Sequence, residues 1–245
     1  MVAQPPASTQ TEIIYPDSDG QPIANDTEQF RWILVIQQNI DWLFANDPNV
    51  FVAGDLFWYP IEGKNNIVTA PDIMVVFGRP KGKRLSYLQW QEEGIAPQVV
   101  FEILSPSNSQ AEMEKKLLFY ERHGVEEYYI YNPQSPNLKV WLRGEDGLDL
   151  IPEIANWQSP RLGIRFDLSG EELQIYRPDG NRFYSYLEIC ELLEQEKQRA
   201  NQTQAELEKT KQQAIQTQTE LEAAQRKNQI LMERLRALGV NPDEL

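Results

Sequence analysis

The run Val99-Val100-Phe101-Glu102-Ile103-Leu104 constrains this chain more than any other segment, because its apolar residues close around a single carboxylate. A strand with one solvated face would show polar residues at alternate positions, so a nearly continuous apolar run predicts a strand covered on both faces. Three more runs have the same character. Val50 to Tyr59 is aromatic and β-branched with Gly54 and Asp55 inside it, Ile73 to Phe77 is wholly apolar, and Tyr128 to Tyr131 is apolar and aromatic. A helical stretch from Ser109 to His123, closed by Gly124, lies between the last two strands of this series, and Ser109 with Glu112 forms a capping box at its start. An earlier helix begins near Glu28, with Asp26 or Thr27 as its cap, and Asn46-Asp47-Pro48-Asn49 ends it. Leu138 to Leu142 and Leu173 to Tyr176 read as further strands, with turns at Asn132-Pro133 and Pro178-Asp179-Gly180. Short apolar strands around helices predict an α/β (α+β) chain with a buried sheet.

Composition limits the chemistry. The 245 residues carry a net charge of −14, so the chain cannot coat nucleic acid by charge alone. Any DNA contact must come from a local basic patch or a metal ion. One cysteine, Cys190, and one histidine, His123, exclude an internal disulfide and a Cys/His zinc site. No run of 18 apolar residues is present, and Met1 to Gln10 lacks the pattern of a signal peptide, so a cytoplasmic protein without a membrane span is expected.

Four regions follow. Residues 1–26, rich in Pro, Ser, Thr, Gln and Asp, read as a flexible arm, and 27–190 as the chemistry-bearing domain. From Glu191 the chain loses Gly and Pro until Gly239, which marks 191–238 as one long helix and 239–245 as a short tail. Every seventh residue of that helix reads Leu193, Ala200, Leu207, Ala214, Leu221, Asn228, Leu235, and a second series three residues later ends in Leu231 and Leu238. This heptad predicts a coiled coil, with Asn228 favouring a parallel homodimer; a solvated single helix is the plainer reading. Residues 191–238 carry eight acidic and eight basic side chains, whereas 1–190 carry 27 and 15, so the acidity belongs to the domain.

The acids inside apolar strands are the candidates for function. Glu102 shares its strand face with Val100 and Leu104, where an unpaired carboxylate costs several kcal/mol. Asp72 opens the Ile73 strand and reads either as a functional acid or as a turn cap. Lys116 flanks the apolar side of the following helix, where it either reaches back to a cleft beside Glu102 or snorkels to water; Lys115 points away. Two carboxylates and an ammonium suit metal-dependent phosphodiester hydrolysis. The acids hold a hard cation such as Mg²⁺, and the ammonium steadies developing negative charge. Paired acids serve other chemistries as well.

The segments Ala70-Pro71-Asp72-Ile73, Val100-Phe101-Glu102-Ile103-Leu104-Ser105-Pro106-Ser107, Lys116-Leu117-Leu118-Phe119-Tyr120 and Gly124-Val125-Glu126-Glu127-Tyr128-Tyr129 resemble the Uma-two family, whose members are grouped with restriction endonucleases of the PD-(D/E)XK superfamily. The resemblance covers roughly 27–190. It implies a restriction-endonuclease-like mixed sheet flanked by helices, with Mg²⁺, or Mn²⁺ in its place, in a cleft and DNA as substrate. Asp72, Glu102 and the Ile103 carbonyl would be metal ligands, and Lys116 the catalytic lysine. The superfamily places its lysine two residues after the glutamate, where this chain has Leu104. A further acid often comes from the first helix, for which Glu28 or Asp41 is available, though a solvent-facing role is simpler for both. The rival reading is an inactive nuclease fold that serves as an oligomerising interaction or DNA-binding module. A third reading makes the tail the working part, recruiting a partner coiled coil.

Other residues carry less. Gly78-Arg79-Pro80-Lys81-Gly82-Lys83-Arg84 is the one dense basic run; it could touch a DNA backbone, although a solvated loop is the simpler reading. It lacks the spacing of a phosphate-binding loop. His123 is expected to favour the helix C-terminus, Cys190 to be a buried small hydrophobe, and Trp32, Trp42, Trp58 and Trp90 to be core.

Overall fold

The computed structural model describes residues 13–239 except 19 and 21. The chain divides into two units, Met1–Tyr186 and Leu187–Leu245. The first is built on a six-stranded mixed sheet of order β1-β3-β5-β6-β7-β8, where β1 is Val50–Gly54, β3 Ile73–Phe77, β5 Val99–Ile103, β6 Glu127–Asn132, β7 Asn137–Arg143 and β8 Leu148–Leu150. All neighbours pair antiparallel except β5 and β6. Parallel strands need a crossover, and α2, Gln110–His123, supplies it. Two small pairs flank the sheet: β2, Trp58–Tyr59, with β4, Tyr87–Leu88, and β9, Arg165–Asp167, with β10, Gln174–Tyr176.

Each face of the sheet has its own core. On one, α1, Thr27–Leu43, lays Trp32, Ile33, Ile36 and Ile40 against Val75, Val99, Phe101 and Tyr129. Each such burial contributes about 1.5–3 kcal/mol. On the other, Tyr120 and the half-buried Met113 and Leu117 of α2 meet Met74, Val76, Val100, Tyr128 and Ile130. Burial on both faces is why the strands lack polar alternation. The caps follow the sequence. Asp26 accepts from the Glu28 and Gln29 N–H groups, Ser109 accepts from the Glu112 N–H, and Gly124 takes φ 94° to end α2. The Glu112 side chain bonds Asn108 instead of completing the capping box.

Several local expectations need correction. The run from Val50 to Tyr59 is not one strand; it breaks at Asp55, which adopts φ 49°. Trp42 is 59% exposed, with the Arg177 guanidinium 4.2 Å above its ring, while Trp32 and Trp58 are core. Cys190 is exposed. His123 sits in the last turn of α2, but burial and Arg122 lower its pKa, so it favours the neutral form there. The basic run is neither free nor merely solvated. Arg79 and Arg84 both pair with Glu92, and Lys81 pairs with Asp41.

Of the expected N-terminal arm, residues 1–12 lie outside the described residues, but Tyr15 packs on Tyr59 and Trp90 at ring distances of 5.2 and 5.0 Å. The second unit carries α3, which begins at Tyr186, the last residue of the first unit, and runs to Ala237, so the helix starts ahead of the compositional change at Glu191. Its Leu193, Leu207, Leu221, Leu231 and Leu238 are exposed. Residues 240–245 of the expected tail lie outside the described residues. No described helix is long and apolar enough to cross a membrane.

Candidate active site

Strand register builds the site. Ile73 pairs with Phe101 and with Gly54, so the next residues along put Asp55, Asp72 and Glu102 in one row across β1, β3 and β5. Residues directly opposite share a sheet face. This row lies at the margin of the α2-side core, beyond Ala53, Met74 and Val100. Gly54 permits the close approach of β1 here, since an added Cβ would lie 3.3 Å from the Asp72 carbonyl oxygen. The Asp55 N–H then donates to the carbonyls of Pro71 and Asp72. A non-glycine residue in the left-handed region beside a carboxylate pair is a local strain of the kind that clusters at functional sites.

Glu102 is 2% exposed and fully engaged. Its Oε2 accepts from Lys116 Nζ at 2.8 Å and its Oε1 from Tyr120 Oη at 2.5 Å. Lys116 and Tyr120 lie four apart on α2, on one side of the helix. Asp72 Oδ2 accepts from the Ile103 N–H at 2.6 Å, taking the place of a ladder carbonyl. The Ile103 carbonyl accepts from Gln29 Nε2 at 2.8 Å. Gln29 is buried in the first turn of α1, so both helices converge on the end of β5.

The electrostatics follow from this packing. Burial first, then the Glu102 carboxylate, hold the Asp72 carboxyl well above the ordinary carboxylate range, with Asp55 adding to the effect; Lys116 and the Ile103 N–H work against it. Burial disfavours the Lys116 ammonium, but Glu102 and Asp72 more than offset that and raise its pKa above the ordinary lysine value. Lys116 therefore favours its charged form at neutral pH. Burial and Glu102 keep the Tyr120 phenol protonated.

A hard divalent cation fits this donor set. The groups are oxygens only, and a cation would offset the repulsion between Asp72 and Glu102, the second cause after burial of the raised Asp72 pKa. Among the described residues no group of three or more His, Cys, Asp or Glu side chains is placed to hold a metal. The cation would take Asp72, Glu102, the free lone pair of the Ile103 carbonyl and water, the sparse ligation usual for Mg²⁺.

The structure thus brings Asp72, Glu102, Ile103 and Lys116 together. Glu28 is apart from them, paired with Arg31, and Asp41 pairs with Lys81. Sequence reasoning missed Asp55, Gln29 and Tyr120 as parts of the site. The Gly54-Asp55 interruption of an apolar run was the available signal for Asp55; nothing local marked Gln29.

A family profile described as "Uma2: Putative restriction endonuclease" matches residues 6–162, more than half of the chain. The chain belongs to the Uma2 family. The match starts inside the N-terminal arm and stops before β9, so it includes the whole acid row and α2. A solved structure from Anabaena variabilis ATCC 29413, titled "a putative nuclease belonging to DUF820", is similar at 19% identity and a TM-score of 0.43, covering 56% of this chain and 75% of that one. No curated protein matches.

Proposed function

We propose that this Uma2 protein is a metal-dependent endonuclease that hydrolyses DNA phosphodiester bonds. The observation that carries the reading is Asp72 set opposite Glu102 at the end of β5, with Lys116 on the same carboxylate. Asp72, Glu102 and the Ile103 carbonyl would hold Mg²⁺ or Mn²⁺, which when bound neutralises phosphate charge and acidifies a water. The chain's own groups do the rest. Tyr120 and Lys116 fix both oxygens of Glu102, so its carboxylate is preorganised. The Lys116 ammonium lies at the edge of the acid row, where negative charge on phosphorus oxygens would build up. Gln29 ties the β5 end to α1, and the Ile103 N–H ties it to Asp72 just before β3.

The α3 heptad supports a parallel homodimer, because its leucines are exposed on a single chain. Two domains joined in this way would present two single-strand cutting sites to a duplex. The second reading, an inactive nuclease-fold module, is favoured by Leu104 at the superfamily's lysine position and by the full engagement of both Glu102 oxygens. Metal titration separates the two. A working site binds Mn²⁺, loses it in Asp72→Ala, and cuts DNA with Mg²⁺ or Mn²⁺ but not with chelator. A protein that binds no divalent ion and cuts under no condition is the module.

A further inference from the structure

The acid row does not end at Glu102. Glu102 pairs with Ile130 of β6, and Ile130 pairs with Lys139 of β7. Lys139 therefore stands on the same sheet face two strand spacings away, about 10 Å. Beside Lys139 lies a groove of about 690 Å³, floored by β6, β7 and Leu104, two residues past Glu102, and walled by the first turns of α2. Trp141 closes its far side. One face of that indole stacks on Tyr128, with ring centroids 5.3 Å apart and planes at 28°, and the half-buried residue lines the groove. Lys139 is exposed on β7.

From this juxtaposition we infer that the groove is a nucleotide subsite, taking the residue next to the scissile phosphate. The inference rests on the hydrolase reading above. The occupant follows from the chemistry. A backed aromatic shelf offers one π-face, Leu104 and Ile130 give an apolar floor, and the Lys139 ammonium stands at the rim, with the Glu114 carboxylate on the helix wall. An apolar peptide would leave Lys139 unused, and a free anion would leave Trp141 unused. A nucleotide uses both, its base on Trp141 and its phosphate on Lys139. Asn137, also at the rim, offers amide groups to a base edge. A base stacked inside a duplex cannot reach the shelf, so the site selects single-stranded or locally opened substrate.

The test is fluorescence anisotropy of the full chain with chelator, which prevents cutting, and dye-labelled single-stranded DNA, single-stranded RNA and duplex DNA as probes. Tighter binding to a single strand than to duplex is expected. Trp141→Ala should weaken it by roughly 5- to 150-fold, the range for losing one base–aromatic stack, and Trp141→Phe should restore most of it. Lys139→Gln, a surface change that leaves the fold alone, should lower the salt dependence of binding by about one phosphate contact. DNA and RNA are told apart by which single strand binds tighter. Equal binding by all variants, a duplex preference, or no oligonucleotide binding by a wild type that still cuts DNA overturns the subsite and leaves the hydrolase reading standing. A wild type that never cuts removes the hydrolase reading itself.

Discussion

Lys116→Met isolates the ion pair at the centre of the site. Glu102 is 2% exposed and the Lys116 side chain 21%, so the pair is shielded on the carboxylate side and reached by water on the other. Removing one partner of a buried pair costs about 3–5 kcal/mol, because the remaining charge is left uncompensated. Two features place this case near the lower bound. Tyr120 still donates to Glu102, and water can enter where the ammonium stood. The expected loss is about 3 kcal/mol, a drop of roughly 1–1.5 M in the urea midpoint. The assay is urea unfolding read by tryptophan fluorescence, since all six tryptophans precede residue 158 and report the first unit alone. The decisive arm is a double-mutant cycle. In a Glu102→Gln background Lys116 no longer has its hydrogen-bonded carboxylate and only Asp72 feels its loss, so adding Lys116→Met should cost about 2 kcal/mol less than it does in wild type. Costs that add within about 0.5 kcal/mol would show that the two groups do not interact and would refute the constellation.

Three more outcomes are expected. Glu127 is fully buried on the opposite face and accepts from Tyr129 Oη, Ser159 Oγ and the Arg161 N–H, so Glu127→Gln should cost about 2 kcal/mol and lower Tm by about 4–8 °C in calorimetry without changing metal binding. Arg84 foremost, and Arg79 with it, hold the Glu92 carboxyl below its ordinary range against the effect of desolvation. A depressed native pKa gives stability that is complete above the unfolded value and lost as pH falls through the native one. Acid titration of Glu92→Gln should therefore show a smaller loss of stability than wild type below about pH 4.3. Ending the chain at Tyr186 should convert a dimer to a monomer in light scattering; a truncated chain that stays dimeric would remove α3 as the dimer element.

The legible part of this fold was the part set by burial. Continuous apolar runs marked β1, β3, β5 and β6, and capping residues marked α1 and α2, because both signals are local. Glu102 stood out since a carboxylate in such a run needs partners. The partners themselves were not legible: Tyr120 reads as core in sequence, and Gln29 as an ordinary first-turn residue, until the strand order brings both to the end of β5. The short β4, β8 and β9 escaped because each is two or three residues long and owes its existence to a neighbouring strand. Trp42 and Cys190 were misplaced for a related reason. Apolar neighbours in sequence do not guarantee a covering element, and Arg177 covers only one face of Trp42.

The most direct measurement is cleavage of supercoiled plasmid and of single-stranded DNA by wild type and Glu102→Gln, with Mg²⁺, with Mn²⁺ and with chelator. Metal-dependent cutting by wild type that Glu102→Gln loses while remaining folded is the result the site requires. Equal cutting by a folded Glu102→Gln variant, or none by wild type with either metal, would contradict it.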